Sequence, residues 1–180
     1  MTSQSKRALH PVETRETRVD EREQGYGGGD AFPLGGYVIL LSTYTSLLVG
    51  VPLAMQRLGR RPKRLRPGEV ALLAPAIHKL SRIITKDWVT SPLRAPFVQY
   101  EESLPGGEVK ESSRGRGLRR AVGDLLTCPY CIGPWVATAL VYGMTYEKRT
   151  TRTLATIYTL VSANDFLHFA YNAARKRAMA

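Results

Sequence analysis

Two cysteines in 180 residues are too few for a disulfide-rich secreted scaffold. The chain also lacks an early apolar segment of the kind a cleavable signal peptide needs, because its first long apolar run starts only near Gly35. No helix-turn-helix, zinc-finger or aromatic-bearing sheet pattern is present, so the net charge of +11 does not predict nucleic-acid binding. The basic residues flank apolar runs instead, which is typical of a membrane protein's loops or of contact with anionic lipid.

The first part of the chain has no apolar stripe. Residues 1–34 alternate charges of both signs and end in a glycine-rich run. Such a composition does not bury enough apolar surface to offset the entropy lost on ordering. The sequence therefore predicts a disordered, mixed-charge tail over residues 1–34.

The rest of the chain contains four apolar segments of helical length. They are residues 35–56, 69–86, 121–146 and 153–172, and a basic polar loop over residues 87–120 separates the second from the third. These segments predict an all-α fold, a small polytopic membrane protein with three to four transmembrane helices. Residues 57–180 would form its main membrane domain.

The first two segments differ in charge. Gly35 to Met55 is a run of 21 uncharged residues, which matches the roughly 20 that a bilayer span needs. The second segment contains Lys79, Arg82 and Lys86 in its C-terminal half. It is either a short span whose basic side chains reach the interface, or a helix lying in that interface.

Lys and Arg placement leaves two topologies open. With four spans both termini are cytoplasmic, and with three spans the N-terminus is outside. Both alternatives place loop 87–120 and the C-terminus in the cytoplasm and the short turn over residues 147–152 outside.

The two cysteines lie in Cys128-Pro129-Tyr130-Cys131, at the start of the third predicted span. This sequence matches a redox-active C-x-x-C motif, but no parallel sheet of the thioredoxin type is predicted around it. The pair is also half of a zinc site, which His78 and His168 would complete, or which a second copy of the chain would complete in a homodimer. The interpretation we favour is a helix cap whose thiols stay reduced.

Ionisable residues in the last predicted span form a second candidate site. Asp165 and His168 are three residues apart and share one helix face, so they would pair with each other. Alternatively, Asp165 would pair with Arg82 of the second helix in a structural role. Intramembrane ionisable groups indicate function by default, because their burial is costly. The interpretation we favour is that Asp165 and His168 lie near the inner interface and are solvated there.

Several of these segments together resemble a known family. They are His78–Asp87, Thr90–Phe97, Gly123–Trp135 and Ser162–His168. The combination resembles a bacterial membrane family of unknown function, catalogued as domain-of-unknown-function family 1360, some of whose members are labelled sporulation proteins. The resemblance covers about residues 68–172. It implies a multi-pass protein of the bacterial inner membrane whose second helix is embedded, which favours four spans, and it implies no reaction.

The leading functional prediction is a non-enzymatic structural or interaction protein. Its basic loop would contact anionic lipid or a membrane-protein partner through a cluster before the third span. The cluster consists of Arg114, Arg116, Arg119 and Arg120. The alternative is a membrane thiol or zinc protein, with zinc as its cofactor, that uses the cysteine pair with His78 and His168.

Overall fold

The computed structural model describes Tyr26 and residues 32–179 of the chain. The predicted disordered tail therefore lies outside the described residues, apart from Tyr26 and the last three positions of the tail.

The described chain is mostly helical, as the sequence predicts. In order, its elements are α1 (Leu34–Arg57), α2 (Pro67–Lys86), a 3-10 turn (Trp88–Thr90), α3 (Ser91–Arg94), β1 (Val98–Leu104), β2 (Glu108–Ser113), α4 (Gly117–Thr127), α5 (Pro129–Tyr146) and α6 (Lys148–Ala178). The bounds of α1 and α2 lie within two residues of the predicted segments 35–56 and 69–86. Helix α6 is longer than the predicted 153–172, because it absorbs most of the turn expected over residues 147–152.

The prediction of a loop over residues 87–120 is wrong for much of its length. Strands β1 and β2 form an antiparallel hairpin there, with Tyr100 opposite Glu111. Gly106 and Gly107 turn the chain with φ values of 85° and 78°, a region that glycine adopts at no steric cost. The fold is therefore helical with one small two-stranded sheet, and the all-α prediction is corrected at this segment.

The predicted third span over residues 121–146 is two helices. Cys128 lies between α4 and α5 in an extended conformation, and the two helix axes are bent by 84°. The residue before a proline avoids helical geometry, and Pro129 follows Cys128. By length and hydropathy, α1 is the one described helix that would cross a membrane alone, and the bent pair α4–α5 would count as a second.

Helix α2 packs between α5 and α6. The buried apolar core belongs to these three helices: Leu73, Ala76, Ile132, Val136, Leu140, Met144 and Ala155. Helix α5 returns into α6 through a tight turn, where a Cβ on Gly143 would lie 2.4 Å from the Thr151 Oγ1 atom. A larger residue would meet the Thr151 side chain, so glycine lets the start of α6 fold back closely on the end of α5.

Polar contacts fix the direction of α2 relative to α6. Glu69 near the start of α2 pairs with Lys148 at the start of α6. Farther along, Thr159 Oγ1 donates to the Leu72 carbonyl over 2.7 Å. Near the cytoplasmic end predicted from the sequence, Lys79 Nζ lies 2.8 Å from Asp165 Oδ2. The contacts advance together along both helices, so α2 and α6 run parallel.

Helix α1 runs along α5 in the same direction. Tyr37 donates to Asp124 just before α5, and Tyr44 lies 3.1 Å from the Thr138 hydroxyl. Farther along, the Tyr142 hydroxyl donates to the Leu48 carbonyl. Helices α1 and α5 are therefore parallel to each other and opposite to α2 and α6.

The Lys79–Asp165 pair corrects the predicted pairing of Asp165 with Arg82. The Lys79 side chain is 16% exposed and that of Asp165 is 40% exposed. We expect Lys79→Gln and Asp165→Asn each to lower the free energy of unfolding by about 1–2 kcal/mol, because each leaves a partly buried charge unpaired. Denaturant unfolding of the purified chain in detergent, followed by tryptophan fluorescence, measures this.

The double variant should lose less than the sum of the two single losses, since the interaction is removed only once. His168→Gln on the same helix, at an exposed position, is the control and should change little. Strictly additive losses would contradict a coupling between the two charges.

Candidate functional site

The C-terminal end of α2 leads into a compact substructure, which we call the hairpin unit, residues 87–127. It contains the 3-10 turn, α3, the β-hairpin and α4. It includes every residue of the predicted basic cluster and ends beside the cysteine pair.

Arg94 is the most buried charged residue of this unit, at 1% exposure. A guanidinium group has five N–H donors in fixed directions. All five are used: Nε donates to Glu111 Oε2 (2.6 Å), Nη1 to the Ile84 carbonyl (2.9 Å) and Thr90 Oγ1 (2.6 Å), and Nη2 to the Asp87 carbonyl (3.1 Å) and Ser91 Oγ (3.1 Å). One side chain therefore links the end of α2, the 3-10 turn, α3 and β2.

The charge of Arg94 is balanced where it is buried. The Glu111 side chain is 5% exposed and accepts the Nε hydrogen bond. A buried charge without a partner costs several kcal/mol, so each member of this pair makes the burial of the other tolerable. A second Arg–Glu pair joins Arg82 of α2 to Glu108 at the start of β2. The hairpin is thus held to α2 by two charge-assisted contacts, and Arg82 serves the hairpin instead of Asp165.

Helix α4 is fixed on the other side of the hairpin. A Cβ on Gly123 would lie 2.6 Å from the Phe97 carbonyl oxygen, so only glycine allows this approach. One residue later, the Asp124 carboxylate accepts hydrogen bonds from both Tyr37 of α1 and Ser113 of β2. Asp124 therefore connects the hairpin unit to the first helix.

The structure brings the predicted basic cluster to the corner between β2 and α4, but its members differ. Arg119 donates twice to the Pro96 carbonyl, over 2.9 and 2.7 Å, which is a structural role. Arg120 is half-buried, and its Nε atom has no hydrogen-bond partner among the described residues. Within residues 32–179, the exposed Arg114 and Arg116 side chains make no hydrogen bond or ion pair, so these two are available to a ligand.

Next to the basic corner, one lysine of the hairpin pairs with two glutamates of the neighbouring strand. Lys110 of β2 pairs with Glu102 over 3.0 Å and with Glu101 over 3.5 Å. The Glu102 hydrogen bond, followed by the charges of Glu102 and Glu101, raises the pKa of Lys110. Lys110 therefore stays cationic and offsets the acidic residues, which leaves Arg114 and Arg116 as the net positive part of this surface.

The hairpin unit also exposes large apolar side chains. We call them the apolar ridge: Trp88, Val89, Leu93 and Tyr100, which are 49%, 89%, 76% and 56% exposed. The Trp88 and Tyr100 rings lie 6.3 Å apart beside a groove of about 440 Å³. Exposed apolar groups and exposed arginines in one small unit are a combination that fits a lipid headgroup region or a protein partner.

The cysteines are joined by a disulfide, with their Cα atoms 5.2 Å apart. This differs from the prediction that both thiols stay reduced. Cys128 is the N-cap of α5, and its Sγ atom accepts a hydrogen bond from the Cys131 N–H over 3.2 Å. The cap that the sequence predicts is present, with the sulfurs bonded to each other.

The structure does not bring the proposed zinc ligands together. In the described part of the chain, no three His, Cys, Asp or Glu side chains form a group that would hold a metal ion. His78 and His168 are both exposed, and disulfide-bonded cysteines are not thiolate ligands. The zinc alternative therefore stays a prediction that no contact here supports.

Sequence reasoning missed Arg94 and Glu111. The available signal for the hairpin was Pro105-Gly106-Gly107 between two short runs with alternating side chains, a pattern typical of a β-turn. The signal for Arg94 was weaker, since an arginine in a polar segment looks like any surface charge.

We expect Arg94→Lys to lower the free energy of unfolding by about 2–4 kcal/mol, because lysine keeps the charge but offers only three donors in another geometry. Hydrogen exchange of the amides in β1 and β2, together with denaturant unfolding, measures the loss. The matched control is Arg114→Lys, which makes the same change at an exposed position. Equal protection in the two variants would show that Arg94 does not hold the hairpin.

The sequence of this chain is similar to those of known proteins. The profile of the family described as Protein of unknown function (DUF1360) matches residues 72–171, which confirms the resemblance seen in the sequence. Sporulation protein YjcA of Bacillus subtilis (strain 168) is 33% identical over 75 residues, which are 40% of this chain and 64% of the relative. The match thus spans less than two thirds of that relative, and no solved structure matches. Because the family profile covers more than half of the chain, this protein belongs to the DUF1360 family, whose function is unknown.

Proposed function

We propose that the chain is a four-span protein of the bacterial inner membrane with a non-enzymatic role. In this proposal α1, α2, α5 and α6 cross the bilayer, and both termini and the hairpin unit are cytoplasmic. The hairpin unit contacts anionic lipid through the apolar ridge and the two free arginines.

The observation that carries the topology is the direction of the helices. Four spans with cytoplasmic termini require α1 and α5 to run outward and α2 and α6 to run inward. The contacts of Tyr37, Tyr44 and Tyr142 support a parallel α1 and α5. In the three-span alternative these two helices would be antiparallel, which those contacts oppose.

Helix lengths agree with this arrangement. The four helices have 24, 20, 18 and 31 residues. At ~1.5 Å per residue they are about 36, 30, 27 and 46 Å long, close to or longer than the roughly 30 Å hydrocarbon core. Helix α2 is too polar to pass as a span alone, but its Lys79 charge is paired with Asp165 inside the bundle. Such pairing is how ionisable groups are tolerated at membrane depth.

Surface chemistry and charge balance also favour membrane insertion. The apolar window of α1 is 0% buried within the protein, and α6 exposes Phe166, Leu167 and Phe169. Exposed apolar area of this extent indicates contact with lipid or protein. With the three basic residues in the C-terminal half of α2 counted on the cytoplasmic side, the four-span topology puts 17 Lys and Arg residues on that side and nine on the outer side, in the direction of the positive-inside rule.

The lipid contact follows from what lies at the cytoplasmic end of α2. Trp88 and Tyr100 are amphipathic rings of the kind found at headgroup level. Arg114 and Arg116 would each add about 1 kcal/mol of attraction to an anionic surface. The relative's name adds sporulation as the cellular setting that we propose for this role.

Reporter fusions test the topology. We expect fusions after Arg66 and Lys148 to report the outside and a fusion after Arg116 to report the cytoplasm. A cytoplasmic signal after Arg66 would favour three spans, and a cytoplasmic signal after Lys148 would contradict both topologies.

Tryptophan fluorescence tests the lipid contact. In a Trp135→Phe background, Trp88 is the remaining tryptophan, and its emission should shift to the blue when phosphatidylglycerol replaces phosphatidylcholine in nanodiscs. The double variant Arg114→Gln with Arg116→Gln should need more phosphatidylglycerol to reach the midpoint of this emission shift. The expected change in the midpoint corresponds to a loss of about 1 kcal/mol of attraction per charge.

The matched control is Arg61→Gln with Arg64→Gln, which removes two charges from the proposed outer face. This control should leave the dependence of the Trp88 emission on phosphatidylglycerol content unchanged. A Trp88 emission that is the same in both lipids would argue against the lipid contact and favour a protein partner. Purification from native membranes would then identify that partner.

A further inference from the structure

We propose that Cys128 and Cys131 form a thiol–disulfide exchange site that takes a thiol or dithiol substrate. This inference adds an exchange reaction to a chain whose proposed lipid-contacting role is itself non-enzymatic, and it involves different residues. It starts from the bonded pair at the beginning of α5.

The local geometry favours one sulfur as the leaving group. Cys128 is the N-cap of an 18-residue helix, where backbone N–H groups lack intrahelical partners and the helix dipole is positive. The Cys131 N–H already points at the Cys128 sulfur over 3.2 Å. A thiolate on Cys128 would therefore be stabilised as soon as the disulfide opens.

Exposure favours the other sulfur as the point of attack. Cys131 is exposed, whereas Cys128 is half-buried at the junction with α4. Tyr130, between them, is 91% exposed and offers an aromatic contact for the substrate beside the disulfide. An incoming thiolate thus reaches Cys131 first.

The exchange balances without a cofactor. A substrate thiolate attacks the Cys131 Sγ atom, the Cys128–Cys131 S–S bond breaks, and its electron pair leaves on Cys128. The substrate and Cys131 are then joined in a mixed disulfide. A second substrate thiolate attacks the substrate sulfur of that bond, which releases an oxidised substrate, and Cys131 takes up a proton. The substrate loses two electrons and the chain gains two, and the reverse sequence oxidises the chain.

A purely structural role is a poor fit for this disulfide. It joins residues only three apart, and a loop that short constrains the unfolded chain much less than a long one. If the proposed topology holds, the pair also faces the cytoplasm, where disulfides are mostly transient and take part in catalysis or redox sensing. In a thioredoxin fold, the redox-active C-x-x-C lies at a helix N-terminus. Here a helix N-terminus in a different fold provides the same local environment.

The test uses the full chain in nanodiscs, with reduced and oxidised glutathione as the probe. Without denaturant, the pair should interconvert reversibly between disulfide and dithiol, as seen by alkylation of the two thiols with a maleimide reagent. During reduction, acid-quenched samples should carry glutathione mainly on Cys131 by peptide mass spectrometry. Glutathione mainly on Cys128 would overturn the assigned direction of attack, and a disulfide that resists glutathione until the chain unfolds would overturn the site.

Two further measurements distinguish an exchange site from a structural disulfide and identify which thiol reacts with Cys131. The double variant Cys128→Ser with Cys131→Ser should unfold at the same denaturant concentration as the oxidised chain. If the disulfide were mainly structural, the double variant would unfold at a lower concentration. In native membranes treated with the thiol oxidant diamide, which accepts the two electrons that a mixed disulfide between the Cys131 thiol and a substrate thiol releases, Cys128→Ser should accumulate adducts on Cys131, because no Cys128 thiol resolves them. A reducible band of higher mass indicates a protein thiol and a glutathione-sized adduct indicates glutathione, while no adduct with either source contradicts the proposal. Because the nanodisc assay does not depend on which side of the membrane the pair faces, it is independent of the topology result.

Discussion

The hairpin unit depends on one buried cation. Arg94 is 1% exposed and has no water to solvate it, so each of its five donors needs a protein acceptor. Those acceptors come from the last turn of α2, the 3-10 turn, α3 and β2, and they are correctly placed only when all four are folded together. The guanidinium group therefore makes the folding of a short, polar segment cooperative, in a region with too few apolar residues for a core of its own. Glu111 is the necessary counterpart, because it neutralises the charge that the burial would otherwise penalise.

The helical bundle is held by a different mixture of forces. Its apolar core is confined to α2, α5 and α6. Helix α1 packs closely on α4 at Gly36, where a Cβ would lie 2.7 Å from the Ala121 Cβ atom, and it reaches α5 through contacts such as Tyr44 with Trp135. The α2–α6 contact combines small buried residues with the Thr159 hydrogen bond and the Lys79–Asp165 pair. Between helices in lipid, close packing and hydrogen bonds replace the hydrophobic effect, and this contact has both. The polar residues of α2 are thus an integral part of its packing.

The sequence predicted the elements that have a strong period or a long apolar run. The bounds of α1 and α2 were right to within two residues, because capping, charge and hydropathy change abruptly at their ends. The hairpin was missed because its strands are mostly polar and short, so its stability comes from Arg94 and Arg82, which are distant in sequence from Glu111 and Glu108. For Asp165 the sequence left two partners open, His168 on its own helix and Arg82 on α2, and the structure pairs it with Lys79 of α2 instead. Lys79 and Arg82 differ by less than one turn, so only their side-chain directions decide between them. Nothing in the sequence separates Arg119, which donates to the Pro96 carbonyl, from Arg114 and Arg116, which make no hydrogen bond or ion pair within residues 32–179.

The bend at Cys128 lies at the boundary between two parts of the protein. On one side, Gly123 and Asp124 fix α4 to the hairpin and to α1, and on the other side Ile132 and Val136 belong to the bundle core. A continuous helix through residues 117–146 would require both parts to share one axis, but the observed axes differ by 84°. The chain must therefore change direction in very few residues, and a helix N-terminus has to begin immediately at the junction. That requirement explains why Cys131 is exposed and why the Cys128 sulfur accepts a hydrogen bond from the Cys131 N–H. Both properties follow from the position of the cysteine pair at the junction, and both are what thiol exchange needs.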